Sequence, residues 1–264
     1  MEGEIEFSIG IGARATLSGL HAKIKELRAK RDKIKEEIER TKTEIGNFSS
    51  SEKARLPSQS KKPPKKKWFS EYLCFTTSWG SLVAAGRNAK QNDELAAKHL
   101  AESDLFFHAD IQGAPTTILK DGKKLLEQAK NGDETAKSSL NQTAQWAASY
   151  SSAWKTGVAA VDVYALFSHQ VSKHAPGGGS VGKGAFALSG EREWFRTTPL
   201  GIKIGFSSGE LSVLPICHPA KLEKEIALTP GKTEKEQAAK VLSSRLSCKA
   251  EDILHCLPSG KFGI

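Results

Sequence analysis

An apolar repeat near the start of the chain restricts its folding more than any other feature. Positions step alternately by three and four residues through Leu17, Leu20, Ile24, Leu27, Arg31, Ile34, Ile38, Thr41 and Ile45. This spacing predicts a coiled-coil helix over residues 1–50, whose seam has two polar interruptions. A lone helix cannot bury such a seam on itself. We therefore expect a partner helix in trans, from a second copy (a homodimer) or another protein, or a helix from a longer natural protein.

The segment that follows this helix is basic and rich in proline. Residues 53–67 contain seven Lys and Arg, three Pro and no Asp or Glu. Residues 1–67 hold 17 basic against 10 acidic residues, so 7 of the +9 formal charges lie there. This composition predicts a flexible linker at residues 51–67 with a salt-dependent attraction to RNA or DNA. A solvated tether with no ligand is the alternative.

From Trp68 onwards the composition is that of a folded domain. The patterns predict strands at residues 72–77, 82–86, 104–109, 116–120, 161–167, 185–188, 202–205, 211–215 and 225–228. They predict helices at 91–101, at 138–155 with Trp146 and Trp154 on one face, at 233–246 capped by Thr233, and a helical turn at 250–256. In the helix at 138–155, the side chains predicted to face the sheet are Leu140, Ala144, Ala147 and Ala148. Strands and helices do not alternate regularly, which favours an α+β fold with a mainly antiparallel sheet and packed helices. We expect one domain at residues 68–220 and a strand and helical tail at 221–264.

Several classes of protein are excluded or disfavoured by the sequence. No apolar stretch is long enough to span a membrane, and the acidic N-terminus does not resemble a signal peptide. The four cysteines form no CxxC motif. We therefore expect a cytoplasmic protein with no membrane partner.

A glycine-rich loop fits two catalytic motifs without their structural context. Residues 177–183 match GxxxxGK and residues 178–182 match GxSxG. Both motifs need a following helix, whereas a strand-like segment follows here, and Gly184 stands where a P-loop has Ser or Thr. We therefore predict no catalytic residue, no cofactor and no enzyme activity. A hydrolase or NTPase that uses this loop stays as a third hypothesis, which turnover lost in Lys183→Ala would support.

His108 and Asp110 lie two residues apart and share one face of a predicted strand. A metal site would need two more ligands, which no nearby pattern supplies. We predict no metal. A hydrogen-bonded pair or a pair that contacts RNA is the interpretation that the sequence favours.

Five sequence blocks, in order, resemble the NFACT-R domain of the NEMF/RqcH family of ribosome-associated quality control. They are residues 68–69 (WF), 85–94 (AGRNAKQNDE), 104–114 (DLFFHADIQGA), 151–154 (SSAW) and 169–177 (HQVSKHAPG). The heptads resemble the coiled-coil arm before this domain, and the tail resembles that of archaeal members. The sequence has no counterpart of the family's NFACT-N domain. It also departs at Gln112, where the family has His, and at residues 121–137, which look like an insertion.

The resemblance implies RNA binding in the context of tRNA and the large ribosomal subunit. The polar residues of these blocks, and the lysine of the glycine-rich loop, are therefore the predicted RNA-binding site: Arg87, Asn88, Gln91, Asn92, His108, Asp110, Gln112, His169, Ser172, Lys173 and Lys183. The Arg, Asn and Gln side chains at the turn into the first helix of the domain donate to phosphates and base edges without a shifted pKa. Helix capping is the structural alternative for Asn88. A protein-interaction scaffold built on the coiled-coil helix is the alternative function.

Overall fold

The computed structural model describes residues 13–53, 67–174, 179 and 181–264. Most of the predicted linker, and most of the glycine-rich stretch at 175–180, lie outside the described residues. The chain divides into two units, Met1–Lys65 and Lys66–Ile264. No helix in the part described is both long and apolar enough to cross a membrane.

The described residues of the first unit form one helix, α1, at Ala13–Lys53. Its 41 residues extend about 60 Å at ~1.5 Å per residue. The seam side chains that the structure describes are exposed, from 38% for Leu20 to 61% for Ile34. The predicted N-terminal helix is therefore confirmed, and its apolar stripe faces solvent over residues 20–38.

The second unit contains twelve strands and six helices among its described residues. The strands are β1 (Leu73–Thr76), β2 (Leu82–Ala85), β3 (Leu105–Ala109), β4 (Thr117–Leu119), β5 (Ala160–Phe167), β6 (Val171–Ser172), β7 (Ala187–Leu188), β8 (Glu193–Pro199), β9 (Ile202–Ser207), β10 (Glu210–Pro215), β11 (Glu223–Thr233) and β12 (Phe262–Gly263). The helices are α2 (Ala89–His99), α3 (Gly122–Lys130), α4 (Glu134–Ser149), α5 (Ser152–Thr156), α6 (Lys235–Leu246) and α7 (Ala250–Cys256).

The strands form antiparallel sheets, which confirms the predicted α+β class. The largest sheet has the order β1-β2-β4-β3-β5-β8, so β1 and β8 are its edges. A second sheet has the order β10-β9-β11-β12, and β6 pairs with β7. In the second sheet β11, from the tail, pairs with β9, which places strands from both sides of residue 220 in one sheet.

Helix α4 covers one face of the six-stranded sheet. It packs against β3, β5 and β8. Leu140, Ala144, Ala147 and Ala148, which the sequence predicted to face the sheet, are all buried. On the opposite face α2 packs over β2 and β4, and a smaller apolar cluster around Phe106 lies beside the loops that form the candidate site.

The helix predicted at 138–155 is wrong at both ends. It begins at Glu134, because the Asp133 carboxylate accepts from the N–H groups of Thr135 and Ala136. It ends at Ser149, and Ser151 then caps the separate helix α5. Trp146 and Trp154 therefore lie on different helices, although both are buried as core residues.

Four elements were not predicted from the sequence, helix α3 and strands β6, β8 and β12, and one cap was misplaced. The supposed insertion contains α3, whose Leu125 and Leu126 join the core. Strand β8 was not predicted, because its alternation of charged and aromatic residues is typical of an exposed edge. Thr233 ends β11, so α6 begins after Glu234 and lacks a side-chain cap.

Candidate nucleic-acid interface

A cleft of about 510 Å³ lies on the sheet face opposite α4. Six of the eleven predicted site residues line it: Arg87, Asn88, Asn92, His108, Gln112 and Lys183. Phe106, Tyr164 and Phe186 supply aromatic surface in the same cleft. Side chains that are far apart in the sequence thus meet at one place.

The turn from β2 into α2 is closed by its own amides. The Asn88 side-chain oxygen accepts from the Gln91 N–H at 3.0 Å, and the Gln91 side-chain oxygen accepts from the Arg87 N–H at 2.9 Å. The capping interpretation is therefore correct for Asn88. Gln91 also donates to the Glu71 carbonyl at 3.3 Å and does not line the cleft.

The Arg87 guanidinium holds together parts of the fold that are distant in sequence. Its Nε donates to the Glu71 carbonyl at 3.2 Å, and its terminal nitrogens donate to the carbonyls of Tyr72 and His255. Backbone carbonyls thus occupy much of its donor capacity. Arg87 borders the cleft, but it also anchors α7 to the end of β2.

Asn92 shapes the floor of the cleft from a buried position. Its side-chain oxygen accepts from the Thr116 N–H at 3.1 Å. A Cβ at Gly86 would lie 2.2 Å from that oxygen and 2.9 Å from the Asn92 backbone nitrogen. Glycine at position 86 is therefore what allows α2 to approach this closely, and Asn92 fixes the helix to the chain before β4.

His108 is half-buried beside Tyr164, whose hydroxyl lies 3.2 Å from His108 Nδ1. Burial is the main cause that lowers the pKa of His108, and the nearby Arg192 acts in the same direction, against Asp110 and two backbone hydrogen bonds. The imidazole is therefore neutral at pH 7. Asp110 is exposed and does not line the cleft, so these two residues are brought near each other without forming a site together.

Lys173 and Lys183 have different surroundings. Lys173 forms an ion pair with Asp93, donates to the Ala185 carbonyl at 2.7 Å and lies 4.3 Å from the centre of the Phe186 ring. Asp93 also accepts from the Gly184 N–H at 3.0 Å. Although partial burial opposes it, the bonds from Lys173 and Gly184 lower the pKa of Asp93. Lys173 therefore fastens the loop to α2.

Lys183, by contrast, is exposed at the mouth of the cleft. Its side chain makes no hydrogen bond or ion pair with any other residue in the described ranges. The Ala185 N–H donates to the Gly182 carbonyl at 3.1 Å, and this turn leads towards β7. A strand therefore follows Lys183, where a P-loop would have a helix.

His169 and Ser172 lie outside the cleft. The exposed His169 ring stacks on Phe167, with 5.8 Å between ring centres. The Ser172 hydroxyl accepts from the His174 N–H at 3.0 Å. Gln112 is exposed in the cleft, and its backbone carbonyl accepts a hydrogen bond from the Ser152 hydroxyl.

Sequence reasoning missed one group of side chains at β8. We call it the β8 strip: Arg192, Trp194 and Arg196, together with Tyr164 of the neighbouring strand β5. Arg192 lies 4.4 Å from the Tyr164 ring centre, and Arg196 lies 3.8 Å from that of Trp194. The alternation in the sequence R-E-W-F-R was the available signal, because it places residues 192, 194 and 196 on one strand face. Within the described ranges, no three His, Cys, Asp or Glu side chains lie close enough to hold a metal ion.

Comparison with known proteins points to one family. Residues 68–190 match the family model described as the NFACT protein RNA binding domain. The archaeal Rqc2 homolog aRqcH of Methanocaldococcus jannaschii is 33% identical over 217 residues, which cover 79% of this chain and 31% of that protein. The ribosome quality control complex subunit NEMF of Homo sapiens is 29% identical over 140 residues, covering 53% of this chain and 12% of that protein.

A Drosophila melanogaster homolog of that subunit is 33% identical over 127 residues, covering 48% of this chain and 12% of its own length. The chain thus spans less than a third of the length of these relatives. Among solved structures, the C-terminal part of a fibronectin/fibrinogen-binding protein from Streptococcus suis matches at 23% identity and a TM-score of 0.38, covering 53% of this chain and 50% of that one.

Proposed function

Since this chain belongs to the NFACT family of ribosome quality control proteins and carries its RNA-binding NFACT-R domain, we propose that it binds tRNA or rRNA on stalled large ribosomal subunits. In this proposal the protein acts by binding and performs no chemistry on the RNA. The relatives named for ribosome quality control support the setting. The cleft supports the mode of binding.

The observation that carries the proposal is the convergence at the cleft. Asn88, His108, Gln112 and Lys183 come from different loops and strands, yet they line the same space. They are neutral polar groups around an exposed cation, which is the composition that suits phosphate and base-edge contacts. Because burial lowers the pKa of His108, its ring is a neutral polar group at neutral pH, with Nδ1 facing the Tyr164 hydroxyl.

Among the described residues that line the cleft there is no serine or cysteine that could serve as the nucleophile of an acyl or phosphoryl transfer. The His108 Nδ1 faces the Tyr164 hydroxyl, not a serine or cysteine. The Lys183 ammonium, with the adjoining backbone of the glycine-rich loop, is placed to contact a phosphate without activating a nucleophile. A binding role is therefore the better interpretation of this geometry.

Salt-dependent RNA binding by Lys183→Ala tests the proposal. We expect the variant to bind tRNA and large-subunit rRNA fragments about fivefold more weakly, because it loses a phosphate contact of ~1 kcal/mol. The slope of log affinity against log salt should fall by roughly 0.7 to 0.9. Lys240→Ala is the matched control, since Lys240 is exposed on α6 and does not line the cleft. Equal effects of the two substitutions would contradict the proposed site.

Cosedimentation tests the ribosomal setting. The protein should pellet more strongly with large subunits that carry peptidyl-tRNA than with empty large subunits or small subunits. Lys183→Ala should reduce this pelleting and Lys240→Ala should not. No preference among the three kinds of particle would remove the stalled subunit from the proposal and leave RNA binding alone.

The exposed stripe of α1 favours a second candidate function, a scaffold that captures a partner helix. Leu20→Lys with Leu27→Lys should abolish self-association or partner capture, because both positions lie on the apolar seam. Ala22→Lys with Ala29→Lys adds the same charge at the same seven-residue spacing away from the seam. Analytical ultracentrifugation of the two double variants and the unaltered chain distinguishes an association through the seam from a general effect of added charge. If the two double variants associate alike, the seam is not an interface.

A further inference from the structure

Strand register places three rings in one row on the sheet face opposite α4, where the middle ring, Tyr164, is 4% exposed and the other two are half-buried. His108 of β3 pairs with Tyr164 of β5, and Tyr164 pairs with Trp194 of β8. The rings of Tyr164 and Trp194 meet edge to face, with 5.4 Å between their centres. His108 and Tyr164 also line the cleft. The row therefore leads from the cleft to the edge of the sheet, where β8 ends it.

Two arginines cover this row towards its outer end. Arg192 is exposed, and its guanidinium lies 4.4 Å from the Tyr164 ring centre and 5.7 Å from that of Trp194. It makes no ion pair or hydrogen bond with another residue that the structure describes. Its charge is therefore uncompensated by close partners, and its planar group presents a free side next to a half-buried indole.

Arg196 packs against the ring of Trp194. Its guanidinium lies 3.8 Å from the indole ring centre and donates to the Asp162 carboxylate at 2.6 Å. The Asp162 carboxylate also accepts from the Thr197 N–H at 2.7 Å. Arg196 is thus fixed in place and largely neutralised, which gives the two arginines different roles. Arg196 holds the indole, and Arg192 supplies the available charge.

We propose that the β8 strip binds unpaired bases of single-stranded RNA beside the phosphate contacts of the cleft. This inference rests on the proposed RNA-binding function and deepens it by naming the form of RNA. Bases stack on aromatic rings and on guanidinium planes only when they are splayed out of a helix, since paired bases are covered by their neighbours. The uncompensated charge of Arg192 complements the phosphates of the same strand.

The size of the surface fits a short segment. Tyr164 is buried beneath Arg192, so the surface open to a ligand consists of the exposed Arg192 guanidinium and the half-buried Trp194 indole. Two such stacking groups accommodate on the order of two bases, with Lys183 in the adjoining cleft to reach a neighbouring phosphate. An acidic peptide could use the charge of Arg192, but it would gain little from the indole face. The combination of cation and ring therefore favours RNA.

The test compares a single-stranded oligonucleotide with a blunt hairpin of equal length, each titrated into the full chain. Trp194→Leu should weaken binding of the single strand about tenfold and of the hairpin by less than about twofold. Trp194→Phe should restore most of the loss, because it keeps a ring. Arg192→Gln should weaken the single strand as well, whereas Arg245→Gln, an exposed control on α6, should not.

Fluorescence gives a second measurement that a purely structural role would not affect. Single-stranded RNA should quench the emission of the unaltered protein more than that of Trp194→Phe, because Trp146 and Trp154 are buried and any quenching of Trp68 and Trp79, which lie outside the strip, is common to both proteins. Equal losses for single strand and hairpin, or no loss with Trp194→Leu, would overturn the inference. Binding of oligoglutamate that depends on Arg192 but not on Trp194 would also overturn it.

The outcome of this test is distinct from that of the proposed function. If the unaltered chain binds neither RNA, the RNA-binding proposal fails. If it binds both in a manner that depends on Lys183 but not on Trp194, the cleft proposal stands and the strip proposal fails. Thermal unfolding of Trp194→Leu and Trp194→Phe shows whether either variant alters the fold.

Discussion

Lys173 resembles an RNA-binding lysine in the sequence, but the structure predicts that it acts through the loop. Its ammonium is paired with Asp93, which also accepts from the Gly184 N–H. Lys173→Met should release this loop while removing a charge that is already largely neutralised. RNA affinity should therefore fall with little change in its salt dependence. Lys183→Ala should differ, because it lowers both the affinity and the salt slope.

The magnitude follows from the contacts. A hydrogen bond to a charged group contributes ~1.5 to 3 kcal/mol when buried. Here the Lys173 and Asp93 side chains are 33% and 28% exposed, so solvent screening reduces the value. The contact with the Phe186 ring adds about 0.5 kcal/mol at such exposure. We expect ~1 to 2 kcal/mol for the loop, which corresponds to roughly five- to thirtyfold more frequent local opening.

Hydrogen exchange measures this opening directly. The Gly184 amide should exchange roughly five- to thirtyfold faster in Lys173→Met, while amides in the buried strand β3 stay unchanged. In a double-mutant cycle, Asp93→Asn with Lys173→Met should cost less than the sum of the two single variants by about 1 kcal/mol. Unchanged exchange at Gly184, or a salt slope lowered as much as by Lys183→Ala, would refute the role of Lys173 in holding the loop to α2.

Two further predictions concern buried polar groups. Asn92→Ala should lower the free energy of unfolding by ~1 to 3 kcal/mol in urea titration, because the buried Thr116 N–H loses its acceptor. The control is Asn141→Ala, at an exposed position. Equal losses of stability in the two variants would contradict this reasoning. His218 donates from Nε2 to a backbone carbonyl and accepts at Nδ1 from the Ala220 N–H, and burial lowers its pKa below 6.5. The unfolded chain therefore binds more protons there, so stability should fall as the pH drops from about 7 to 5. His218→Gln should flatten that part of a plot of thermal midpoint against pH, and an unchanged profile would argue against the assignment.

Local patterns determined a large part of the architecture. The heptad spacing predicted α1, since helical periodicity depends only on residues that are close together in the sequence. Apolar runs located β1 to β5, and the alanines of α4 were correctly assigned to its buried face. Ordered sequence blocks from Trp68 to residue 177 identified the family before any contact was known.

The roles of the charged residues were decided by the tertiary structure. Lys173 and Lys183 look alike in the sequence, but Asp93 of α2 binds the first, and the second makes no such pair with any described residue. Arg87 is occupied by carbonyls that include His255, 168 residues away. The pairing of β8 with β5 created the row from His108 to Trp194. Local sequence sets backbone preference, whereas the availability of a donor depends on which distant acceptors the fold places beside it.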